Sequence, residues 1–271
     1  MPEALSELAA LVKKLRRECP WDREQTPESI KTYLLEECYE ALEALDSGEP
    51  GALRDELGDL LFQVFFLATL ATELGWFDLE EVARAATRKM TERHPHVFGE
   101  TRAGSADEVR KGWEARKRLE AGAAADPLGT IPVSLPAVAA AHRMTSRAAD
   151  LGFDWERDAD VAEKIEEEIE EWRAAADQGD RGAEEKEIGD LLLSVVNLAR
   201  RRSVDPEAAL RRTNSRFRAR FAGIARRAAA SGRSISEVPL TELDAYWEDA
   251  KKDELSAIDS RLSAEKGREK S

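Results

Sequence analysis

Apolar residues recur three and four positions apart along most of this chain, set among abundant Ala, Leu, Glu and Arg. That spacing puts them on one face of a 3.6-residue helix, and the composition favours helix. Alternating runs of β-branched residues are absent, so the pattern predicts an all-α fold. Thr26-Pro27-Glu28 has the chemistry of a helix start, with Thr26 as N-cap and Pro27 in the first turn. The pattern carries this helix to about Asp46, where Ser47-Gly48-Glu49-Pro50 stops it and turns the chain. A second helix is predicted from near Gly51 to about Glu73, with Gly75 just beyond its end. Together they make a helical hairpin. Leu57 to Leu74 is the most apolar stretch, but Asp59, Gln63 and Glu73 interrupt it. A membrane span needs ~20 mostly apolar residues, so a buried helix is expected instead.

The pattern repeats. Leu34–Ala68 aligns without a gap on Ile165–Ala199, 131 residues on, and 16 of the 35 positions are identical. Glu36, Glu37 and Glu40 fall on Glu167, Glu168 and Glu171, and Glu56 and Asp59 fall on Glu187 and Asp190. With small length changes, Lys89 and Arg93 correspond to Arg216 and Arg220. Trp113-Glu114 with Lys117 corresponds to Trp247-Glu248 with Lys251. The chain is therefore read as two tandem copies of one helical-bundle unit, at 1–122 and 137–271. A Pro- and Gly-containing linker at 123–136 lies between them. The end, Ser256–Ser271, is polar and expected to fray.

The carboxylates of each hairpin change the picture from packing to chemistry. Residues three apart share a helix face, as do Glu37 with Glu40 and Glu56 with Asp59. Counted from Gly48, Glu40 and Glu56 lie eight residues away on either side, and Glu37 and Asp59 lie eleven away. Across an antiparallel hairpin these become level pairs, so four carboxylates can converge. The second copy repeats this around Gly179, with Glu171 level with Glu187 and Glu168 level with Asp190. At ~4 Å each like-charge contact costs about 4 kcal/mol at an effective dielectric near 20, and cations would turn that repulsion into binding. All-oxygen ligation without His or Cys favours Mg²⁺ or Mn²⁺ over zinc. The neighbouring Leu60-Leu61-Phe62 and Leu191-Leu192-Leu193 are expected to point the other way, into the core. Acidic residues on helices usually form a solvated face, but the recurrence in register across a turn favours a metal site.

Charge agrees with a cation-dependent ligand. The chain has 271 residues, 35% of them charged, and a net charge of −14. That surplus disfavours bare nucleic acid and anionic membranes as partners. The two cysteines, Cys19 and Cys38, make no disulfide scaffold, and Met1–Glu18 lacks a signal peptide's apolar core, so a cytoplasmic location is expected.

Glu36-Glu37 and Glu40 followed by Glu56-Leu-Gly-Asp59-Leu-Leu, with the same order in the second copy, resembles the MazG-type nucleoside triphosphate pyrophosphohydrolases. CPWDREQT at Cys19–Thr26, RHPHVF at Arg93–Phe98, GFDW at Gly152–Trp155 and NLAR at Asn197–Arg200 extend the resemblance from about Leu5 to Leu255. It implies an all-α homodimer that hydrolyses nucleoside triphosphates to the monophosphate and pyrophosphate with Mg²⁺. The implied metal ligands are Glu37, Glu40, Glu56 and Asp59, and Glu168, Glu171, Glu187 and Asp190. Glu36 and Glu167 take the first Glu of the motif, suited to positioning the attacking water. The family's pattern has a basic residue a few positions before the second-helix Glu. Here Ala52 and Ala183 stand four positions before it.

The leaving pyrophosphate needs cations of the protein's own. Lys89 with Arg93, and Arg216 with Arg220, are four apart on one helix face each, matched in both copies. Trp113 and Trp247 either close over the nucleotide or pack. His94, His96 and His142 fall outside the acidic hairpins, which argues against a di-iron bundle. No Gly-rich phosphate loop is present. Lys186 beside Glu187, and the Arg-rich Arg211–Arg227, make the second copy the fuller site. The competing readings are a regulatory dimer module that binds nucleotide and metal without turnover, and a dedicated dUTP or dCTP pyrophosphatase.

Overall fold

A computed structural model of the chain describes residues 3–99, 102, 104–106, 108–109, 112–113, 116 and 126–253. Among them there are helices and turns and no strand. Glu114, Lys117, the linker's first residues 123–125 and the polar end 256–271 lie outside the described residues. The chain divides into two compact units, Met1–Ala125 and Asp126–Ser271.

The first unit is built from α1 (Glu3–Glu18), α2 (Pro20–Glu24), α3 (Pro27–Ser47), α4 (Pro50–Glu73), α5 (Leu79–Arg93) and the short α6 (Pro95–Phe98). Thr26 caps α3 as its chemistry demands. Its side chain accepts from Ser29 N–H while the Ser29 hydroxyl accepts from Thr26 N–H, and Pro27 occupies the first turn. Gly48 ends α3 in the left-handed conformation, φ 72°, where a side chain would be strained. Pro50 then starts α4 at the position where its missing N–H costs nothing. The core gathers Val12 of α1, Ile30 of α3 and Phe65, Phe66 and Leu70 of α4. Arg16 ties the corner between α1 and α2: it donates to the Asp22 and Gln25 carbonyls, pairs with Glu73, and lies over the Phe66 ring.

The second unit repeats the hairpin. It has α7 (Ala137–Asp150), α8 (Asp158–Gln178), α9 (Arg181–Arg201), α10 (Pro206–Ala230), a 3₁₀ turn (Ile235–Glu237), and helical residues at 240–253. Gly179 sits 131 residues after Gly48, again left-handed at φ 67°, and Asp180 caps α9. Val161, Val196, Ile224 and Ala228 are buried here. Three arginines in and just after the last turn of α9 clamp the approach to α8. Arg200 and Arg201 pair with Asp154, and Arg201 and Arg202 pair with Asp158. Cations at a helix C-terminus also meet its negative dipole end. Residues 126–136 form no helix, and Arg147 donates to the Leu128 and Thr130 carbonyls there.

The helices are less one-sided than the sequence suggests. Leu61 of α4 and Leu192 and Leu193 of α9 were expected in the core, but they are exposed. Leu57, Leu61 and Val64 form an open stripe on α4, and Ile188, Leu192 and Val195 form the same stripe on α9. Phe65, Phe66 and Leu70, on another face of α4, take the core. A helix apolar on two faces gives its periodicity no way to say which face goes inward. No helix among the described residues is long and apolar enough to cross a membrane.

Candidate metal centre

In the first hairpin, α3 carries Glu37 and Glu40 and α4 carries Glu56 and Asp59. One carboxylate oxygen each of Glu37, Glu56 and Asp59 lie within 4.8 Å of one another. Glu40 is exposed and outside this group, although its charge acts on both Glu37 and Glu56. Gln63 is buried between core and acids and donates through Nε2 to Glu37 Oε1 at 3.4 Å. Among the described residues no Lys or Arg pairs with Glu37, Glu56 or Asp59; the nearby Arg54 pairs with Asp55 instead. Burial, then repulsion from Asp59, Glu40 and Glu56, pushes the Glu37 carboxyl up against the opposing pull of Gln63. Burial and repulsion from Glu40, Asp59 and Asp55 push Glu56 up.

The raised Glu37 carboxyl has a consequence for stability. A carboxyl whose folded pKa is raised binds its proton more tightly in the folded state, so stability falls as pH rises. The loss is absent below the ordinary 4.5 of Glu37 and complete above its raised folded value. In metal-free protein, Glu37→Gln is therefore expected to melt at a higher temperature than the parent at pH 7. Thermal scans in chelator should show the gap closing as pH falls towards 4.5. A variant less stable than the parent at pH 7 would mean that neither burial nor the neighbouring acids strain the Glu37 charge.

In the second hairpin the group is Glu168 and Glu171 of α8 with Glu187 of α9, again within 4.8 Å. It is more deeply set: Glu168 is 3% and Glu187 9% exposed. The Oε2 atoms of both are buried without a hydrogen-bond partner. A buried, unpaired carboxylate oxygen is costly, and a hard divalent cation that takes oxygen ligands would satisfy both at once. The donor set thus fits such an ion. Burial, then repulsion from Glu187, pushes Glu171 up, with Lys164 opposing. Asp190 lies outside the group, and Lys186 bridges it at 3.0 Å to Glu187 at 2.9 Å. Lys164 pairs with Glu168 at 2.8 Å and Glu167 at 2.9 Å. Lys164 is the residue that sequence reasoning misses, although its i,i+4 spacing to Glu168 is the signal that finds it.

Glu36 and Glu167, one residue before the grouped acids, are exposed and outside both groups. The basic and aromatic residues assemble alike in the two units. The Arg93 guanidinium lies over the Trp113 ring at 5.9 Å, and Arg220 lies over Trp247 at 5.5 Å. Such stacking holds both planes for 0.5–2 kcal/mol or so. Lys89 and Arg216 are exposed, and Arg216 donates to Thr213 Oγ1. The second unit adds Phe217, 5.3 Å from Trp247 and stacked on Phe221. His94 sits 6.1 Å from Trp113, its Nδ1 on the Met90 carbonyl, away from the carboxylate groups.

Comparison with known proteins gives these geometries relatives. Residues 25–98 match the MazG nucleotide pyrophosphohydrolase domain, and residues 142–217 match phosphoribosyl-ATP pyrophosphohydrolase. The chain is 43% identical over 248 residues to the nucleoside triphosphate pyrophosphohydrolase/pyrophosphatase MazG of Thermotoga maritima, covering 90% of this chain and 94% of that one. It is 40% identical over 258 residues to the nucleoside triphosphate pyrophosphohydrolase of Escherichia coli K12, covering 93% and 98%. A crystal structure of a mazG-related protein from Thermotoga maritima aligns with 41% of this chain and 97% of its own, at 28% identity and a TM-score of 0.37.

Proposed function

Since the chain belongs to the MazG family, we propose that it is a nucleoside triphosphate pyrophosphohydrolase that uses Mg²⁺, with Mn²⁺ as a substitute. It cleaves NTP or dNTP substrates between the α- and β-phosphates, releasing the monophosphate and pyrophosphate, and so clears or controls nucleotide pools. The observation that carries this reading is the pair of buried, unpartnered oxygens of Glu168 and Glu187 within one carboxylate group. Glu168, Glu171, Glu187 and Asp190 would hold the ion in the second copy, and Glu37, Glu40, Glu56 and Asp59 in the first. When bound, the ion neutralises phosphate charge and makes hydroxide available near neutral pH. Glu36 and Glu167, one residue before the grouped acids, position the attacking water. Lys89 and Arg93, with Arg216 and Arg220, hold the departing pyrophosphate, and Trp113 and Trp247 hold the base.

The open stripes on α4 and α9 support a homodimer, because apolar faces of this kind are buried when helices of a second copy cover them. Two free cysteines fit a reducing cytoplasm, where the nucleotides are. Purified protein with each NTP or dNTP and Mg²⁺ should yield the monophosphate and pyrophosphate in equal amounts. Release of orthophosphate, or no product from any of them, would overturn the reading. The match of the second unit to phosphoribosyl-ATP pyrophosphohydrolase favours one further substrate. Phosphoribosyl-ATP belongs in the same panel, and faster turnover of it than of any NTP would replace the proposed substrate class.

A further inference from the structure

The two carboxylate groups share one plan but sit in different charge environments. In the second, Lys164 and Lys186 pair with Glu167, Glu168, Glu187 and Asp190, all at 2.8–3.0 Å. In the first, 131 residues earlier, Tyr33 stands for Lys164 and Asp55 for Lys186. There, among the described residues, no Lys or Arg pairs with Glu37, Glu56 or Asp59. One hairpin thus holds its acids together with the protein's own ammonium groups, and the other leaves them facing one another.

Lys186 is placed to yield. Its side chain is 65% exposed, whereas that of Lys164 is 29% exposed. It pairs with two of the carboxylates proposed as metal ligands, one turn apart on α9. Its stem is long and flexible, and its point charge is at home on a carboxylate or on a phosphate. A divalent ion entering the second group must share Glu187 with this ammonium, and like charges at that range repel strongly.

We propose that Lys186 is a displaceable counter-ion that separates the two sites in metal demand; this rests on reading both groups as metal sites. In the free protein it lowers the affinity of the second site for a divalent ion below that of the first. When the ion arrives together with a triphosphate, Lys186 leaves the carboxylates for the incoming phosphates. The second site therefore fills with metal and nucleotide together, and the first fills with metal alone.

The test is Mn²⁺ binding, read by the electron paramagnetic resonance of free Mn²⁺, on the full chain with the first group disabled by Glu56→Gln and Asp59→Asn. In that background, without nucleotide, Lys186→Met should bind Mn²⁺ about tenfold or more tightly than Lys186, and Lys186→Arg should stay near the parent. With an α,β-methylene nucleoside triphosphate added, the order should reverse for the nucleotide, Lys186→Met binding it about threefold or more weakly. Equal Mn²⁺ affinity in the parent and Lys186→Met overturns the counter-ion while leaving the metal site in place. A Lys186→Arg variant as tight as Lys186→Met overturns it too, because the charge is then not the cause. Absence of Mn²⁺ binding in every variant overturns the metal-site reading itself, and the inference with it.

Discussion

Glu187→Gln is expected to lower turnover by at least about 100-fold while leaving the helices intact, as the proposed role of Glu187 in holding the metal requires. The substitution keeps the side chain's shape, so α9 keeps its packing on α8. What it removes is one negative charge from a group in which Glu187 is 9% exposed and has one oxygen without any partner. The amide still accepts from Lys186, and Lys186 keeps Asp190, so the local ion pairs survive in reduced form. On the proposed reading, the damage falls on cation binding and on the charge balance around the triphosphate. Steady-state rates for Glu187→Gln, with circular dichroism to confirm the fold, measure it. Glu56→Gln, at the matched position of the first copy, measures the other site by the same loss of charge. A Glu187→Gln enzyme at parental turnover would move the reaction out of the second hairpin.

Counting residues outward from Gly48 and Gly179 was enough to set acids of neighbouring helices at matched heights. Two features made this legible. A left-handed glycine fixes where each helix ends, and the helical rise then fixes height along the next one. The Thr26 cap and Pro27 at the start of α3 were legible for the same reason, since their chemistry is local. Which acids converge most tightly was not legible. Glu40 and Asp190 fall outside the close groups, because side-chain direction depends on neighbours that spacing does not name. Asp190 goes to Lys186, and a nearest-neighbour lysine gives no hint in the sequence of whether it points to solvent or bridges two acids. The exposure of Leu61 and Leu192 was hidden by the apolar character of both faces of their helices.

The repeat also conceals a difference in how the two units are held together, and Phe66 exposes it. Phe66 is fully buried at the centre of the cluster formed with Val12, Ile30, Phe65 and Leu70, with Arg16 over its ring at 5.6 Å. The matching residue 131 positions on is Asn197, which is only half-buried and accepts from Arg200. Phe66→Ala is expected to cost about 3–5 kcal/mol, the transfer term for the ring plus the cavity that the rigid helices leave behind. Because the chain has two units, the cost should appear as an early transition in urea unfolding rather than as a uniform shift. Far-UV circular dichroism on parent and variant reads it, and Asn197→Ala, which removes no large apolar group, should change the curve far less. A Phe66→Ala loss below about 1 kcal/mol would mean that the pocket collapses onto the space or that the core lies elsewhere. The consequence reaches the site. Phe66 stands two turns beyond Asp59 on α4, about 10 Å along the axis. Gln63, between them, links the buried face to Glu37. Loosening α4 at Phe66 should therefore weaken the carboxylate group of the first hairpin before the helix itself is lost.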